Sequence, residues 1–286
     1  MGEPTAGGPP PPRVLTIAGT DSGGGAGVPA DLRAIAACGA HGCVAVTAVT
    51  VQNSVGVTGV HTIAPETVAA QIETVATDIG LDAAKTGMLA GSAIIEAVAA
   101  ACDRVGIGAD GPTPLVVDPV AASMHGDQLL ADSALDAFRA LLFPRATVLT
   151  PNLDEVRLLV GIDVHDRAAQ YEAAKALHAL GPRYVLVKGG HLREDTDICV
   201  DLLYDGHTVT ELPGPRFDTG NTHGGGDSMA AVIACGLARG LGVPEAVALG
   251  KRFIVEAVRH SYPLGAGHGP VSSLWAVRPW WDQPQR

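Results

Sequence analysis

No stretch of this 286-residue chain is basic enough to hold a polyanion. Lys and Arg number 19 against 30 Asp and Glu, the formal net charge is −11, and no Lys/Arg-rich run offsets it. That balance argues against nucleic-acid binding, and any phosphate has to be held by local groups against an unfavourable overall field. No apolar run reaches the roughly 18 to 20 residues that cross a bilayer, so no membrane partner is expected. There is no CxxC pair, no HExxH and no Cys/His cluster to suggest structural zinc. The five cysteines (Cys38, Cys43, Cys102, Cys199 and Cys235) form an odd set that reads as reduced thiols of a cytoplasmic protein. A Walker-type loop, GxxxxGK followed by Ser or Thr, is also missing. The first residues lack the basic and apolar regions of a signal peptide, and Ala6 stands where a myristoylation signal has Ser or Thr. Residues 1–12, which include four consecutive prolines, are read as a disordered tail, and residues 13–286 as one domain.

What is present is a globular composition, 47% hydrophobic and 17% charged, with strands and helices in alternation. Val14 to Ala18 reads as a strand, followed by a glycine-rich loop through Gly27 and a helix carrying Leu32 and Ile35. Gly42 to Val51 reads as one β-branched strand ending at Gln52-Asn53. Pro65 starts a helix with Val68, Ile72, Val75 and Ile79 on one side. Further strands are expected at Asp82 to Thr86, Leu115 to Val117, Thr147 to Leu149 and Tyr184 to Val187. Helices are expected at about 92–105, 132–142, 167–180, 225–239 and 244–261, with another following Asn152. Ile198 to Tyr204 and Thr208 to Leu212, separated by Asp205-Gly206, read as a hairpin. The alternation implies a mostly parallel sheet covered on both faces, which binds ligands beyond the carboxyl ends of its strands. Asp21, Gln52, Lys85, Asp118, Asn152 and Lys188 all fall just past or at those ends.

The richest stretch is Asp218 to Ala238, where Gly224-Gly225-Gly226-Asp227 precedes an apolar, Ala-rich helix. A helix N-terminus offers unpaired N–H groups and a positive dipole end, and glycines let an anion approach the backbone. A carboxylate there opposes phosphate unless it has another task, such as taking a proton from an alcohol; the plain alternative is a first-turn acid that stabilises the helix. Asn152-Leu153-Asp154-Glu155 matches a capping box, and its functional reading is magnesium held through water. Lys188 beside Gly189-Gly190 either snorkels at the core edge or neutralises phosphate. Gln52 is either a turn residue or an amide that donates and accepts at once, which suits an aminopyrimidine edge. Gly106 to Gly111 matches GxGxxG but follows a helix and precedes a strand, the reverse of a dinucleotide site, and is read as a connection. Gly226-Asp227-Ser228-Met229-Ala230 is close to the hydrolase elbow GxSxG, with His260 and His268 downstream, so a Ser228 hydrolase is the competing reading from another class. A non-catalytic metabolite sensor is the remaining one.

Several motifs in order carry a resemblance. They are Ile17-Ala18-Gly19-Thr20-Asp21 with Gly24-Gly25-Ala26-Gly27 and Ala30-Asp31-Leu32; Thr47-Ala48 with Gln52-Asn53; and Lys85-Thr86-Gly87-Met88-Leu89. They continue with Val117-Asp118-Pro119-Val120, Thr150-Pro151-Asn152 with Glu155, Lys188-Gly189-Gly190-His191, Asn221-Thr222-His223-Gly224 and Gly267-His268-Gly269-Pro270. Over residues 13–272 the chain resembles the hydroxymethylpyrimidine/phosphomethylpyrimidine kinases of thiamine biosynthesis. The resemblance implies a ribokinase-like three-layer α/β/α sandwich with a mostly parallel central sheet. It also implies ATP-dependent phosphorylation of 4-amino-5-hydroxymethyl-2-methylpyrimidine to its monophosphate and then its diphosphate, with ATP and Mg2+ required. Gly19, Asp31, Gln52 and Met88 are then expected to line the pyrimidine site. Asn152, Lys188, Thr222 and the loop Gly224 to Gly226 serve ATP, Asp118 and Glu155 the metal, and Asp227 is the base. A homodimer is the expected assembly, and pyridoxal kinase activity on a similar fold is the alternative. Two departures stand out: Asp227 occupies a position where cysteine is common in the family, and Met124 one where lysine is common.

Overall fold

A computed structural model describes residues 9–121, 131–190, 192 and 197–277. In chain order the elements are β1 (Arg13–Ala18), α1 (Gly27–Ala37), β2 (His41–Val46), β3 (Ala48–Asn53), β4 (Gly56–Thr62), α2 (Pro65–Asp78), β5 (Ala83–Thr86), α3 (Ser92–Val105) and β6 (Leu115–Val117). They continue as α4 (Asp132–Ala137), β7 (Val148–Leu149), α5 (Leu153–Val160), α6 (Arg167–His178), β8 (Tyr184–Val187), β9 (Ile198–Tyr204), β10 (Val209–Pro215), α7 (Gly225–Ala238) and α8 (Val243–Arg259). Eight strands form one sheet in the order β10-β9-β8-β7-β6-β5-β1-β2, parallel from β8 to β2. Only β9 runs against its neighbours, so the expected hairpin extends the main sheet.

Alternation along each strand divides the interior into two cores. In β1, Leu15 and Ile17 face one side, where Ile72 of α2, Ile95 of α3 and Leu177 of α6 complete the packing. Val14, with Val116 and Leu186 of β6 and β8, faces the other side, where Ile35 of α1, Ile233 of α7 and Val247 of α8 lie. Helices thus cover both faces of a mostly parallel sheet.

Three sequence expectations need correction. The run 42–51 is two strands: at Thr47, which is fully buried, the chain leaves the main sheet, and β3 pairs with β4 in a separate two-stranded ribbon. Thr47 is held by its N–H to the Ala18 carbonyl and by its hydroxyl to the Met88 carbonyl. The β-branched residues continue across this break, so composition carries no sign of it, and β4 itself was not anticipated. The helix expected over 132–142 keeps α-geometry only to Ala137, then widens into a π turn (Phe138–Leu142) and a 3-10 turn (Phe143–Arg145) containing Pro144, which has no N–H to continue the ladder. The β9–β10 turn is longer than Asp205-Gly206: Tyr204 pairs with Val209, and the Asp205 carboxylate accepts the N–H groups of His207 and Thr208. The GxGxxG stretch is a connection between α3 and β6, as read. Residues 1–8 of the expected tail, Met124 and His191 lie outside the described residues, whereas the Pro12 carbonyl accepts the N–H of His41.

The two sheet edges are treated differently. On β2 the side chain of Gln71 accepts from the Val46 N–H at 2.9 Å and donates to the Val46 carbonyl at 3.1 Å, standing in for a further strand. On β10 the outer strand carries Pro213 and Pro215.

The central strand tests the packing. Leu15→Ala should destabilise the fold by about 2–5 kcal/mol, the cost of a fully buried leucine replaced by a cavity, read as a lower urea midpoint with an unchanged slope.

Candidate active site

The carboxyl ends of β1, β5, β6, β7 and β8 open where parallel α/β sheets bind ligands, and α7 starts at the same place. Its N-cap Gly224 has φ 73°, and a Cβ there would stand 1.9 Å from the Gly25 carbonyl oxygen, so both conformation and space require glycine. The first-turn N–H groups that follow form an anion-binding end.

Behind that end sits a buried cation. The Lys85 ammonium lies 3.0 Å from both carboxylate oxygens of Asp31 and 3.1 Å from Oδ1 of Asp227. Lys85 and Asp31 are fully buried, whereas 16% of the Asp227 side chain is exposed. Burial pulls the Lys85 pKa down, but Asp31, Asp227 and Asp118 outweigh it and raise it, so Lys85 stays charged. Burial pushes Asp227 up, yet the Lys85 charge and hydrogen bond, the Gly27 N–H and Lys188 bring it below the usual carboxylate range. Asp31, with Asp227 repelling it, is driven by burial up to about 7 against the pull of Lys85. Of the two carboxylates on Lys85, the one that keeps its charge is therefore the one that reaches the opening.

A second cluster adjoins the first. The Lys188 ammonium is 3.0 Å from Oδ1 of Asp118, which also accepts the Thr150 hydroxyl at 2.9 Å. A Cβ on Gly226 would lie 3.0 Å from that ammonium and 3.6 Å from Oδ2 of Asp118, so the pair faces the glycine loop. Asn152 and Glu155 form the reciprocal capping box of α5: Oδ1 of Asn152 accepts the Glu155 N–H at 2.9 Å and Oε2 of Glu155 accepts the Asn152 N–H at 2.8 Å. Burial pushes the Glu155 carboxyl up to about 8, opposed by Lys188 and reinforced by Asp118. Among the described residues no three His, Cys, Asp or Glu side chains converge as a metal cage.

The third cluster joins the glycine loop to β3. Asp21 accepts the N–H groups of Gly23, Gly25 and Ala26 at 2.8–2.9 Å, and Nε2 of His223 lies 2.9 Å from its Oδ2. Burial pushes Asp21 up, but His223 and these backbone donors hold it below its ordinary value. A ring nitrogen against an ionised carboxylate carries the hydrogen. Gln52 Nε2 is 3.5 Å from the same nitrogen, which then has no lone pair to accept from it. The Gln52 Oε1 accepts the Thr50 hydroxyl at 3.3 Å.

The structure brings Asp227, Gly224 to Gly226, Lys188, Asp118 and Glu155 together at this edge, with Gln52 across the loop. Gly19 donates its N–H to the Met88 carbonyl at 3.1 Å, and the Met88 thioether lies over it. Asp31 is placed differently from the expectation: with no exposed surface, and bonded to Thr16 and Lys85, it lies one layer beneath the site wall. Thr222 is exposed, and its carbonyl accepts the Gly225 N–H. Lys85 and Asp21 had been placed at the binding edge without a specific role, and His223 had only been quoted within a motif. Lys85 had a signal of its own, a lone charge inside the otherwise uncharged strand Ala83–Thr86. The hydrolase reading fails on geometry. Ser228 is fully buried within α7, its hydroxyl 3.2 Å from that of Ser273, while His260 and His268 are bound to the carbonyls of Glu256 and Gly220.

This layered sheet, with its helix-end anion loop at the carboxyl edge, is a ribokinase-like fold. The phosphomethylpyrimidine kinase family profile matches residues 21–272. A hydroxymethylpyrimidine/phosphomethylpyrimidine kinase of Mycobacterium tuberculosis is 60% identical over 267 residues, covering 93% of this chain and 95% of its own. Among solved structures, an ADP complex of Bacillus subtilis pyridoxal kinase has a TM-score of 0.85 at 37% identity, covering 92% of this chain and 98% of its own. A phosphomethylpyrimidine kinase of Clostridium difficile has a TM-score of 0.72 at 33% identity, covering 86% and 100%. The chain belongs to the phosphomethylpyrimidine kinase family.

The raised carboxyls make a pH signature. Asp31 and Glu155 hold protons in the folded state at pH values where the unfolded chain has released them, so they favour folding at low pH and lose that contribution as pH rises toward about 7 and 8. Urea midpoints measured from pH 5 to 8 without nucleotide or divalent ions should fall with rising pH, and fall less in Glu155→Gln; an equal slope in the variant would refute the assignment.

Proposed function

We propose that this chain is a cytoplasmic kinase that transfers phosphate from ATP to the hydroxymethyl group of 4-amino-5-hydroxymethyl-2-methylpyrimidine. It then phosphorylates the monophosphate to the diphosphate, in thiamine biosynthesis. The observation that carries this reading is Asp227: an ionised carboxylate, balanced by a buried lysine, in the first turn of a helix whose glycine loop is built to receive an anion. Family membership supports it.

Phosphoryl transfer needs chiefly alignment and charge neutralisation. The N–H groups of Gly224 and Gly226 and the Lys188 ammonium receive the moving phosphoryl group, while Gly225, its N–H held by the Thr222 carbonyl, shapes the loop and lets the anion approach, with Asn152 and Thr222 on the nucleotide. The Asn152 carbonyl oxygen is taken by the α5 cap, which leaves its amide N–H groups for phosphate. Gly19, Met88 and Gln52 hold the ring, while Asp31 acts from beneath by fixing Lys85. Asp227 takes the alcohol proton as the new P–O bond forms. Its low basicity suits a late proton transfer, and Lys85 keeps it ready at neutral pH. The second acceptor is a phosphate oxygen that is already anionic and has no proton to give up.

Asp118 and Glu155 suit Mg2+: both are hard oxygen donors, Asp118 adds to the burial that raises the Glu155 carboxyl, and two carboxylates match an ion that keeps most of its water. When bound there, magnesium neutralises phosphate charge.

Pyridoxal phosphorylation is the second reading, favoured by the likeness to the Bacillus subtilis enzyme. We also infer a homodimer, supported by the β3–β4 ribbon, which stands off the main sheet with Val49, Val51, Val55, Val57 and Val60 all exposed.

Mass spectrometry after incubation with MgATP and the pyrimidine alcohol should show the mono- and diphosphates; an unmodified alcohol would sink the reading. Asp227→Asn should slow the first phosphorylation by roughly 10²-fold or more and the second much less, and equal losses would tell against a base role. With pyrimidine alcohol and pyridoxal competing for ATP, the pyrimidine should dominate, and Gln52→Leu should erode that preference; a pyridoxal excess in the parent would reverse the order of the two readings.

A further inference from the structure

The segment Gly265 to Val271 follows the last helix and lies apart from the Lys85–Asp31–Asp227 cluster, yet it spans the two halves of the site. At one end it grips the turn of the β3–β4 ribbon. The Gly267 N–H donates to the Ser54 hydroxyl at 3.2 Å, and the His268 N–H donates to the Ser54 carbonyl at 3.0 Å. At the other end it is stitched to the loop leading into α7. The Gly269 N–H donates to Oδ1 of Asn221 at 3.1 Å, the His223 N–H donates to the Gly269 carbonyl at 3.2 Å, and the Val271 N–H donates to the His223 carbonyl at 3.1 Å. His268 Nδ1 meets the Gly220 carbonyl at 3.0 Å.

The approach is too close for any side chain. A Cβ on Gly267 would stand 1.9 Å from the Ser54 carbonyl oxygen, and one on Gly269 would stand 2.1 Å from that of Tyr262 and 2.6 Å from Oδ1 of Asn221. So close an approach leaves the strap backbone little room to shift independently of Ser54 and of Tyr262. The ribbon also carries Gln52, and the loop into α7 carries His223, whose ring is bonded to Asp21 and adjoins Gln52. The strap therefore ties the ribbon turn to the loop that carries His223, and the Gln52 and His223 side chains lie next to each other across the gap.

We infer that Ser54 and the strap Gly267 to Gly269 are positioning residues that couple the acceptor half of the site to the phosphate half. Seating a ring against Gln52 fixes the ribbon, the strap transmits that to Asn221 and His223, and the phosphate loop meets its nucleotide already ordered. This rests on the placement of the pyrimidine at Gln52 and the nucleotide at Gly224 to Gly226. Coupling of this kind is a ratio of affinities and is reciprocal between the two ligands.

Calorimetric binding of the non-hydrolysable analogue AMP-PCP, with magnesium, would be measured with and without saturating 4-amino-5-hydroxymethyl-2-methylpyrimidine. In the parent protein the pyrimidine should tighten AMP-PCP by about fivefold or more. In Gly267→Ala the ratio should fall to within about twofold of one, while AMP-PCP binding alone changes by less than about threefold. Ser54→Ala, which removes one hydrogen bond without forcing the backbone apart, should give an intermediate ratio. Parent synergy retained in both variants overturns the strap and leaves the functional reading intact. A parent ratio near one with both ligands bound also overturns it, and a pyrimidine that does not bind the parent at all removes the functional reading and this inference together.

Discussion

A single buried ammonium holds the active edge together. Lys85 brings α1, through Asp31, and α7, through Asp227, onto the end of β5, and it has no exposed surface. An unpaired charge at that depth is severely unfavourable, and removing Lys85 would leave the Asp31 and Asp227 carboxylates facing each other without a counter-ion. The arrangement also sets chemical rank between two like groups. The deeper carboxylate yields its charge most readily, and the one near the opening retains it. Burial and a shared cation are enough to make that distinction, without any difference in residue type.

Charge balance explains how an acidic protein receives an anion. The net charge of −11 is unfavourable at long range, but the described edge supplies Lys85 and Lys188, each locked to carboxylates, together with the N-terminus of α7. Lys188 is raised above its ordinary value by Asp118 and Glu155 despite the burial that opposes it. The cations are thus held at fixed positions by their own counter-ions, which is preorganisation at the expense of net attraction.

Much of this was legible in the sequence, for physical reasons that differ by element. Short apolar strands that empty into polar residues gave away the parallel sheet and its active edge, because burial on both faces leaves only strand ends for chemistry. The Gly224 to Asp227 loop was readable because glycine followed by a helix-forming run has few structural uses. The split at Thr47 was not readable, since β-branched residues suit either sheet and only the Ala18 and Met88 carbonyls mark the departure. Nor was the depth of Asp31: its motif position implied a wall residue, whereas the Thr16 and Lys85 contacts that submerge it come from distant parts of the chain. Asp21 was placed at the site edge and His223 only in a motif, but their pairing was not readable, since it spans 202 positions and no local pattern encodes it.

The two margins of the eight-stranded sheet bear on the protein's behaviour when crowded. An open strand margin is a template on which further chains stack into fibres. Gln71 occupies the polar groups of Val46 on one margin, and Pro213 and Pro215 have no N–H to offer on the other. Open-ended growth by strand addition is thereby discouraged on both sides of the main sheet.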